Sequence, residues 1–146
     1  MAQATLKFLC EDILEEGLEI FNLSLGIVSK VEGSSYTVIT VMPAGGVFQS
    51  GETFDLKDTY CREVVETQAT VALAKLGNTP GLSKHPLYSG LPLEAYIGAP
   101  IKIADKVWGT LNFSSMKIRN HDFSKAEIEL IESRASMIAE KIACGL

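Results

Sequence analysis

The chain has 146 residues, enough for one domain and too few for two ordinary ones. Apolar residues make up 47% of it, the formal net charge is −5, and no run approaches the roughly 20 apolar residues of a membrane span. Because no basic cluster is present in the sequence, we expect no nucleic-acid binding. Charges near the N-terminus interrupt any signal-peptide pattern, so we expect one cytoplasmic domain over residues 1–146.

The first predicted elements are a helix and a β-hairpin. Residues 4–22 carry an apolar stripe at helical spacing, formed by Leu6, Leu9, Ile13 and Ile20. Two β-rich runs follow, SLGIVSKVEG and SYTVITVMPA. Gly33 and the neighbouring serines supply the turn between them, which predicts a hairpin.

The middle of the chain is predicted to alternate loops with short elements. A loop over residues 45–58 leads to a short helix over 59–66, which Asp58 or Thr59 can cap. The run ATVALAKL predicts a third strand. Residues 77–92 are then irregular, with one helical turn at 86–89.

Two strands and a long helix complete the predicted elements. Residues 94–115 read as a hairpin of strands four and five. Ser124 and Glu127 form a capping-box pattern at the start of the last helix, which we expect to end at Gly145. The apolar stripe of this helix comprises Ile128, Ile131, Ala135, Ile138 and Ile142.

This order of elements predicts an α+β fold. Five strands joined mostly by hairpins form an antiparallel sheet, and the two terminal helices bury their stripes together on one face. The two long irregular segments are left to cover the other face. Because long loops in compact domains are usually functional, we expect them to roof a small-molecule pocket.

Alternation along strands four and five assigns their side chains to the two faces. Tyr96, Gly98 and Pro100 share one face, and the aliphatic set Ile97, Ala99 and Ile101 shares the other. We assign the aliphatic set to the helices and the first set to the pocket. Thr110 and Asn112 alternate with apolar residues on strand five and suit a pocket with a few placed polar groups.

The sequence offers little for metal or covalent chemistry. The three cysteines are widely spaced without a CxxC pair, and the two histidines have no partner at ligand spacing. We therefore expect no metal site, and no disulfide within the chain. Cys61, at the start of the short helix, is either a reactive thiol or, as for most free cysteines, a small buried apolar residue.

Four motifs in this order resemble those of GAF domains, and the resemblance covers essentially the whole chain. They are DTYCREVV at 58–65, HPLYSGLPLEAYIGAPIKI at 85–103, VWGTLNFSS at 107–115 and DFSKAEIELIE at 122–132. The chain is similar to the GAF domains that accompany histidine kinase or diguanylate cyclase modules. The resemblance implies a GAF/PAS-like sheet, a pocket under the loops and a regulatory role, as in two-component systems.

The resemblance also places strand four inside the sheet, where Gly98 and Pro100 weaken a β-ladder. We expect either a broken ladder on the pocket floor or a simple bend of the strand. Some GAF domains attach a tetrapyrrole through a cysteine followed by histidine, but Lys84 precedes His85 here. Others reduce free methionine sulfoxide with clustered cysteines, which this chain lacks.

We therefore expect a non-enzymatic sensory domain that binds a small molecule. The candidate ligand-binding residues are Phe54, Tyr60, Cys61, His85, Tyr88, Tyr96, Gly98, Thr110 and Asn112. Two alternatives stay open: a ligand-free dimerisation module with a collapsed pocket, and a redox sensor or reductase using Cys61. A pocket bounded by Tyr96, Asn112 and residues 82–91 favours ligand binding, whereas a core filled by these side chains favours the dimerisation module.

A second apolar stripe on the last helix predicts a homodimer. Leu130, Met137 and Cys144 recur at intervals of seven, beside the stripe that covers the sheet. The first helix adds Phe8, Leu14, Leu18 and Phe21. Alternatively, the sheet and one neighbouring helix bury all of these side chains within the monomer.

Overall fold

The computed structural model describes residues 2–43, 48–59, 61–74, 94–117, 119 and 121–145. Within them lie three α-helices, namely α1 (Ala2–Phe21), α2 (Arg62–Thr67) and α3 (Lys125–Gly145). The described strands are β1 (Leu25–Glu32), β2 (Ser35–Met42), β3 (Thr53–Asp55), β4 (Val71–Leu73), β5 (Ala95–Ile103) and β6 (Lys106–Ser115). They form one antiparallel sheet in the order β3-β2-β1-β6-β5-β4, which confirms the α+β class.

Part of the loop predicted over residues 45–58 is ordered structure. Residues of β3 pair with the start of β2, so the described sheet has six strands rather than the predicted five. A 3₁₀ turn, Leu56–Asp58, follows β3 directly. The sequence analysis missed this strand because three residues are too few to show an alternating pattern.

The start of the short helix also differs from its prediction. Helix α2 begins at Arg62 with Cys61 in the N-cap position, so Asp58 and Thr59 are not its caps. The Thr59 hydroxyl instead donates to the Leu56 carbonyl at 2.9 Å and stabilises the preceding 3₁₀ turn. Cys61 is thereby turned into the protein interior, where it is 3% exposed.

Helices α1 and α3 pack on one face of the sheet, as predicted. The Phe21 ring at the end of α1 contacts that of Phe123 just before α3, with centroids 6.3 Å apart, and Arg134 Nε donates to Glu16 Oε1 at 2.6 Å. Because these contacts join the end of α1 to the first half of α3, the two helices run antiparallel. The core beneath them includes Val28, Ile97, Ile101, Leu111, Phe113, Ile131 and Ile138.

The buried side of α1 is rotated from the predicted stripe. Leu14 and Phe21, assigned to the second stripe, are 0% and 2% exposed, whereas Ile20 is 48% exposed. Gly17 explains the rotation, because a Cβ there would lie 2.8 Å from Phe113 Cε2 and closer still to other ring atoms. The helix therefore approaches the sheet through Gly17, and Leu14 and Phe21 flank that contact.

Strand β5 lies inside the sheet, and its two faces divide as predicted. Ile97, Ala99 and Ile101 belong to the core under the helices, and Tyr96 belongs to a second core on the opposite face. Pairing with β6 continues through Gly98 and Pro100, and its register shifts only between Ile101 and Lys102. Of our two alternatives, the broken ladder at Gly98 and Pro100 is therefore wrong, and the simple bend of the strand stays a prediction.

Pro100 lacks a backbone N–H, but it lies where none of the described strands would accept a hydrogen bond from one. The Thr110 N–H, opposite Pro100, is directed to β1, where it bonds the Ser29 hydroxyl. In an antiparallel pair this directs the Pro100 nitrogen away from β6. Strand β4 pairs only as far as Gly98, so none of the described strands pairs with Pro100 on that side, and a missing N–H there costs little.

The predicted capping box at α3 is present and carries an ion pair. Ser124 N donates to Glu127 Oε1 at 2.9 Å, and Glu127 N donates to Ser124 Oγ at 3.1 Å. Arg119 Nη2 donates to Glu127 Oε2 at 2.9 Å. Burial raises the pKa of Glu127. The hydrogen bonds from Ser124 and Arg119 together lower it by more than burial raises it, so the pKa falls below its ordinary 4.5.

Acid should therefore weaken the start of α3. Because the folded pKa is depressed, the stabilisation is present above pH 4.5 and is lost as the pH falls through the folded value. We expect Glu127→Gln to lower the free energy of unfolding by about 1 kcal/mol at pH 7 and by almost nothing at pH 3. Urea unfolding at both values tests this, with the exposed Glu129→Gln as control; an equal loss at both pH values would refute it.

Candidate functional site

The sheet face opposite α1 and α3 carries an unusual core, because polar side chains replace part of its apolar packing. Val38, Val64 and Leu56 supply aliphatic contacts there. Six buried polar or weakly polar side chains lie together beside them, and we call these the polar cluster: Ser29, Tyr36, Cys61, Tyr96, Thr110 and Asn112. None of the six is more than 4% exposed.

Strand register brings these residues together. Ser29 on β1 lies opposite Thr110 on β6, and Asn112 follows two residues later on the same face. Gly98 on β5 lies opposite Asn112, which leaves room for the neighbouring Tyr96 ring: a Cβ on Gly98 would lie 2.8 Å from Tyr96 Cζ. The strands of the sheet therefore supply every member of the polar cluster except Cys61.

Cys61 lies at the centre of the polar cluster and is its main hydrogen-bond acceptor. Its Sγ accepts from the Tyr96 hydroxyl at 3.1 Å, from Asn112 Nδ2 at 3.1 Å and from the Thr110 hydroxyl at 3.4 Å. The thiol itself donates to the Tyr36 hydroxyl at 3.6 Å. Three donors thus converge on sulfur, which is a weak acceptor.

The remaining bonds link the outer members of the polar cluster. The Ser29 and Thr110 hydroxyls are 2.7 Å apart, and the Thr110 N–H donates to Ser29 Oγ at 3.2 Å. Asn112 Nδ2 also lies 3.4 Å from the Tyr36 hydroxyl. The Asn112 amide, which we placed in the pocket, is thus bonded within the polar cluster.

The polar cluster is electrically neutral. Burial raises the pKa of Tyr36 and of Tyr96 well above ordinary values, and it raises the pKa of Cys61 despite the hydrogen bonds it receives. Every buried polar side chain in the described part of the chain is likewise uncharged. The site therefore offers hydrogen bonds without a charge that could recognise an ion.

These environments predict very different reactivity for the three free cysteines. Cys10 is fully buried with a pKa raised to about 11, and Cys61 is also buried, whereas Cys144 is exposed. Because thiolates are the nucleophiles, we expect iodoacetamide to modify only Cys144 in the native protein and all three after denaturation. Peptide mass mapping tests this, and modification of Cys61 as fast as Cys144 would refute it.

The structure brings four predicted site residues together: Cys61, Tyr96, Thr110 and Asn112. Gly98 lies beside them but accommodates the Tyr96 ring. Phe54 is at the margin, with its ring centroid 6.5 Å from that of Tyr36 and 5.6 Å from that of Phe48. The other three candidates (Tyr60, His85 and Tyr88) and the pocket boundary at 82–91 lie outside the described residues.

Sequence reasoning missed two members of the polar cluster. Tyr36 begins the alternating run of β2 and points to the same face as Val38, so the alternation could have placed it in this core. Ser29 gave no such signal, because a serine within a β-rich run reads as an exposed position. Its role depends on the β1–β6 register, which one sequence does not reveal.

Two structural features are absent from the part of the chain that the structure describes. Among those residues, no three His, Cys, Asp or Glu side chains are placed to hold a metal ion. The described helices likewise include none with the length and hydropathy of a membrane span.

Comparisons with known proteins agree with this architecture. The family model described as GAF domain matches residues 5–142. A type II free methionine-R-sulfoxide reductase from Thermoplasma acidophilum has a similar structure, with a TM-score of 0.78 and 14% identity over 100% of this chain and 98% of that one. The blue-light absorbing form of the Thermosynechococcus elongatus PixJ GAF domain has a TM-score of 0.74 and 19% identity over 98% and 90%.

A third similar structure is a GAF domain/HD domain protein from Geobacter sulfurreducens. Its TM-score is 0.72 and its identity 14%, over 98% of this chain and 97% of that one. No curated protein sequence matches the chain. At these identities the structural likeness concerns the fold alone.

Proposed function

Because the chain belongs to the GAF domain family, we propose that it is a cytoplasmic sensory domain that binds a small molecule at the polar cluster. Occupancy is relayed through α1 and α3 to a signalling output, for which a histidine kinase or diguanylate cyclase module is the expected partner. The domain itself is not an enzyme in this proposal. GAF domains as a family are usually sensory or regulatory, although one similar structure is named as a reductase.

The observation that carries this proposal is the convergence of three donors on a sulfur. An aliphatic core on this face would avoid the desolvation of two phenols, an amide and two hydroxyls. Since sulfur accepts hydrogen bonds weakly, these donors gain more from an oxygen or nitrogen acceptor. A ligand that supplies such an acceptor replaces Cys61 Sγ as their partner without leaving them unpaired.

The neutrality of the polar cluster defines the ligand class. No charged side chain among the buried described residues faces the site, so an ionic ligand would lose its hydration without a compensating partner. We therefore expect a small uncharged molecule whose hydrogen-bond acceptor takes the place of Cys61 Sγ beside Tyr96, Thr110 and Asn112.

A thermal-shift comparison tests this proposal with two matched variants. Thr110→Val removes a hydroxyl from the polar cluster, and Thr40→Val removes one from a buried threonine outside it, without changing the side-chain shape. Neutral and anionic fractions of a metabolite extract serve as probes. We expect the neutral fraction to raise the Tm of the wild type and of Thr40→Val but not of Thr110→Val; stabilisation by the anionic fraction alone would refute the proposal.

One observation favours the dimerisation module as the second candidate. The polar-cluster side chains contact one another and satisfy most of their own hydrogen bonds, as a collapsed pocket would require. In that case neither extract fraction stabilises the wild type. The redox alternative has less support, because Cys61 is buried and its pKa is raised.

Homodimerisation through α1 and α3 is part of both candidates. Phe8 on α1 is 64% exposed and Met137 on α3 is 41% exposed, so each helix presents an apolar side chain outward. We expect Met137→Glu to yield a folded monomer in sedimentation analysis, because a carboxylate would be desolvated in the interface. The control is Met116→Glu, an exposed methionine outside the helices; a wild type that stays monomeric at high micromolar concentration would exclude the dimer.

A further inference from the structure

A cleft lies between the C-terminal end of α1 and the chain that follows β6, and we call it the α1–β6 cleft. Its volume is about 560 Å³, within the range of small-molecule sites. Ile20 and Asn22 line it from the α1 side, and Ser115, Met116 and Lys117 line it from the β6 side. It shares no lining residue with the polar cluster.

The charge of the α1–β6 cleft is opposite to that of the chain. Lys117, Arg119 and His121 line it, and its described lining contains no carboxylate, although the chain as a whole carries −5. Glu127 neutralises Arg119 at 2.9 Å. Lys117 is exposed and has no ion-pair partner among the described residues, so it supplies the accessible positive charge.

Two side chains of this cleft have hydrogen-bond donors without an acceptor among the described residues. Ser115 is 7% exposed, and its Oγ accepts from the Lys117 N–H at 3.1 Å, which leaves the hydroxyl proton available to a ligand. Arg119 Nη1 is buried with no hydrogen-bond partner among the described residues. Donors of this kind beside a lysine are the chemistry that recognises a carboxylate or phosphate.

The mouth of the cleft is apolar. Ile20 is 48% exposed and Met116 is 58% exposed, and these are two of the four large apolar side chains that are exposed in the described residues. We propose that the α1–β6 cleft binds a small amphipathic anion, whose head group contacts Lys117 and Ser115 and whose apolar body covers Ile20 and Met116. This site is independent of the polar cluster and of the neutral ligand proposed there.

The competing explanation is local to α1. Its last turn contains no basic residue, so Lys117 and His121 could serve only to offset the negative end of the helix dipole. That role requires no ligand, and it predicts that loss of Lys117 changes stability without changing the binding of any anion.

Titration of the ¹⁵N-labelled chain separates these explanations. The probes are octanoate, octylammonium with the same tail and opposite charge, and inorganic phosphate without a tail. We expect octanoate to shift the amide signals of Asn22, Ser24 and Lys117 saturably, phosphate to shift them more weakly, and octylammonium to leave them unchanged. Lys117→Ala should weaken octanoate binding about tenfold, and Lys102→Ala, which removes an exposed lysine from β5, should not.

Three results would overturn the proposal: no saturable shift with octanoate, equal binding of octylammonium, or equal affinity in Lys117→Ala and Lys102→Ala. Thr110→Val tests whether the α1–β6 cleft is independent of the polar cluster. It should leave octanoate binding unchanged even where it abolishes stabilisation by the neutral extract, so failure of one proposal does not imply failure of the other.

Discussion

Replacing Asn112 with aspartate is expected to lower the free energy of unfolding by about 3 kcal/mol at pH 7 and by much less near pH 4. The two side chains have nearly the same shape, but the aspartate buries a carboxylate where the asparagine is 3% exposed and no cation is adjacent. Desolvation raises the pKa of such a carboxyl group. A raised folded pKa means that the variant gains stability as the pH falls towards the unfolded value of about 4, below which both states bind the proton.

Asn22→Asp is the matched control for this prediction. Asn22 is exposed at the end of α1, so the same charge change should cost less than about 1 kcal/mol there and show little of this pH dependence. Urea unfolding of both variants and the wild type between pH 4 and pH 7 measures the difference. Similar losses in the two variants would mean that water reaches Asn112, and the site would then be open rather than buried.

Gly109→Ala should have the second large effect, a loss of about 3 kcal/mol that could leave the domain unfolded at 37 °C. A Cβ on Gly109 would overlap the Ser29 carbonyl oxygen and lie 2.8 Å from its carbonyl carbon. Backbone atoms cannot rotate away as a side chain can, so β1 and β6 must separate at this point. The separation would also break the hydrogen bond between Ser29 and Thr110.

Gly33→Ala is a suitable comparison, because Gly33 has a positive φ of 60° but a Cβ added there would meet no other atom within 4 Å. Gly33→Ala should therefore lower the free energy of unfolding by only about 1 kcal/mol, which is the strain of an alanine at positive φ. Thermal and urea unfolding of the two variants test the order. A Gly109→Ala protein as stable as Gly33→Ala would show that the two strands are not held as closely as described.

The sequence predicted most of the fold because two periodicities were strong. The capping box at Ser124 and Glu127, the stripe of α3 and the alternation of Tyr96 and Gly98 with Ile97 and Ala99 each correspond to a described feature. These patterns depend on local geometry alone, namely 3.6 residues per helical turn and two per strand repeat.

Features that depend on long-range contacts were not predictable in this way. The rotation of α1 depends on the fit of Gly17 over Phe113, a residue 96 positions later in the chain. Strand β3 was missed because it is short and depends on β2 for its pairing. In both cases tertiary packing decided between options that were locally similar.

The candidate site was predicted by residue type but not by its chemistry. Thr110 and Asn112 were chosen as polar residues on one face, and both belong to the polar cluster. The role of Cys61 as a shared acceptor followed only from the start of α2, which was misplaced by three residues. The sequence likewise shows no basic run that would have predicted the α1–β6 cleft, which is lined by Lys117, Arg119 and His121.

Native mass spectrometry of protein purified from a cell lysate tests the central claim most directly, because it reports a retained ligand and the oligomeric state together. The account predicts that the wild type and Thr40→Val carry an additional uncharged small molecule, and that Asn112→Leu and Thr110→Val carry the mass of the chain alone. A folded wild type without any retained mass, or the same mass retained by all four proteins, would contradict the assignment of the polar cluster as the ligand site.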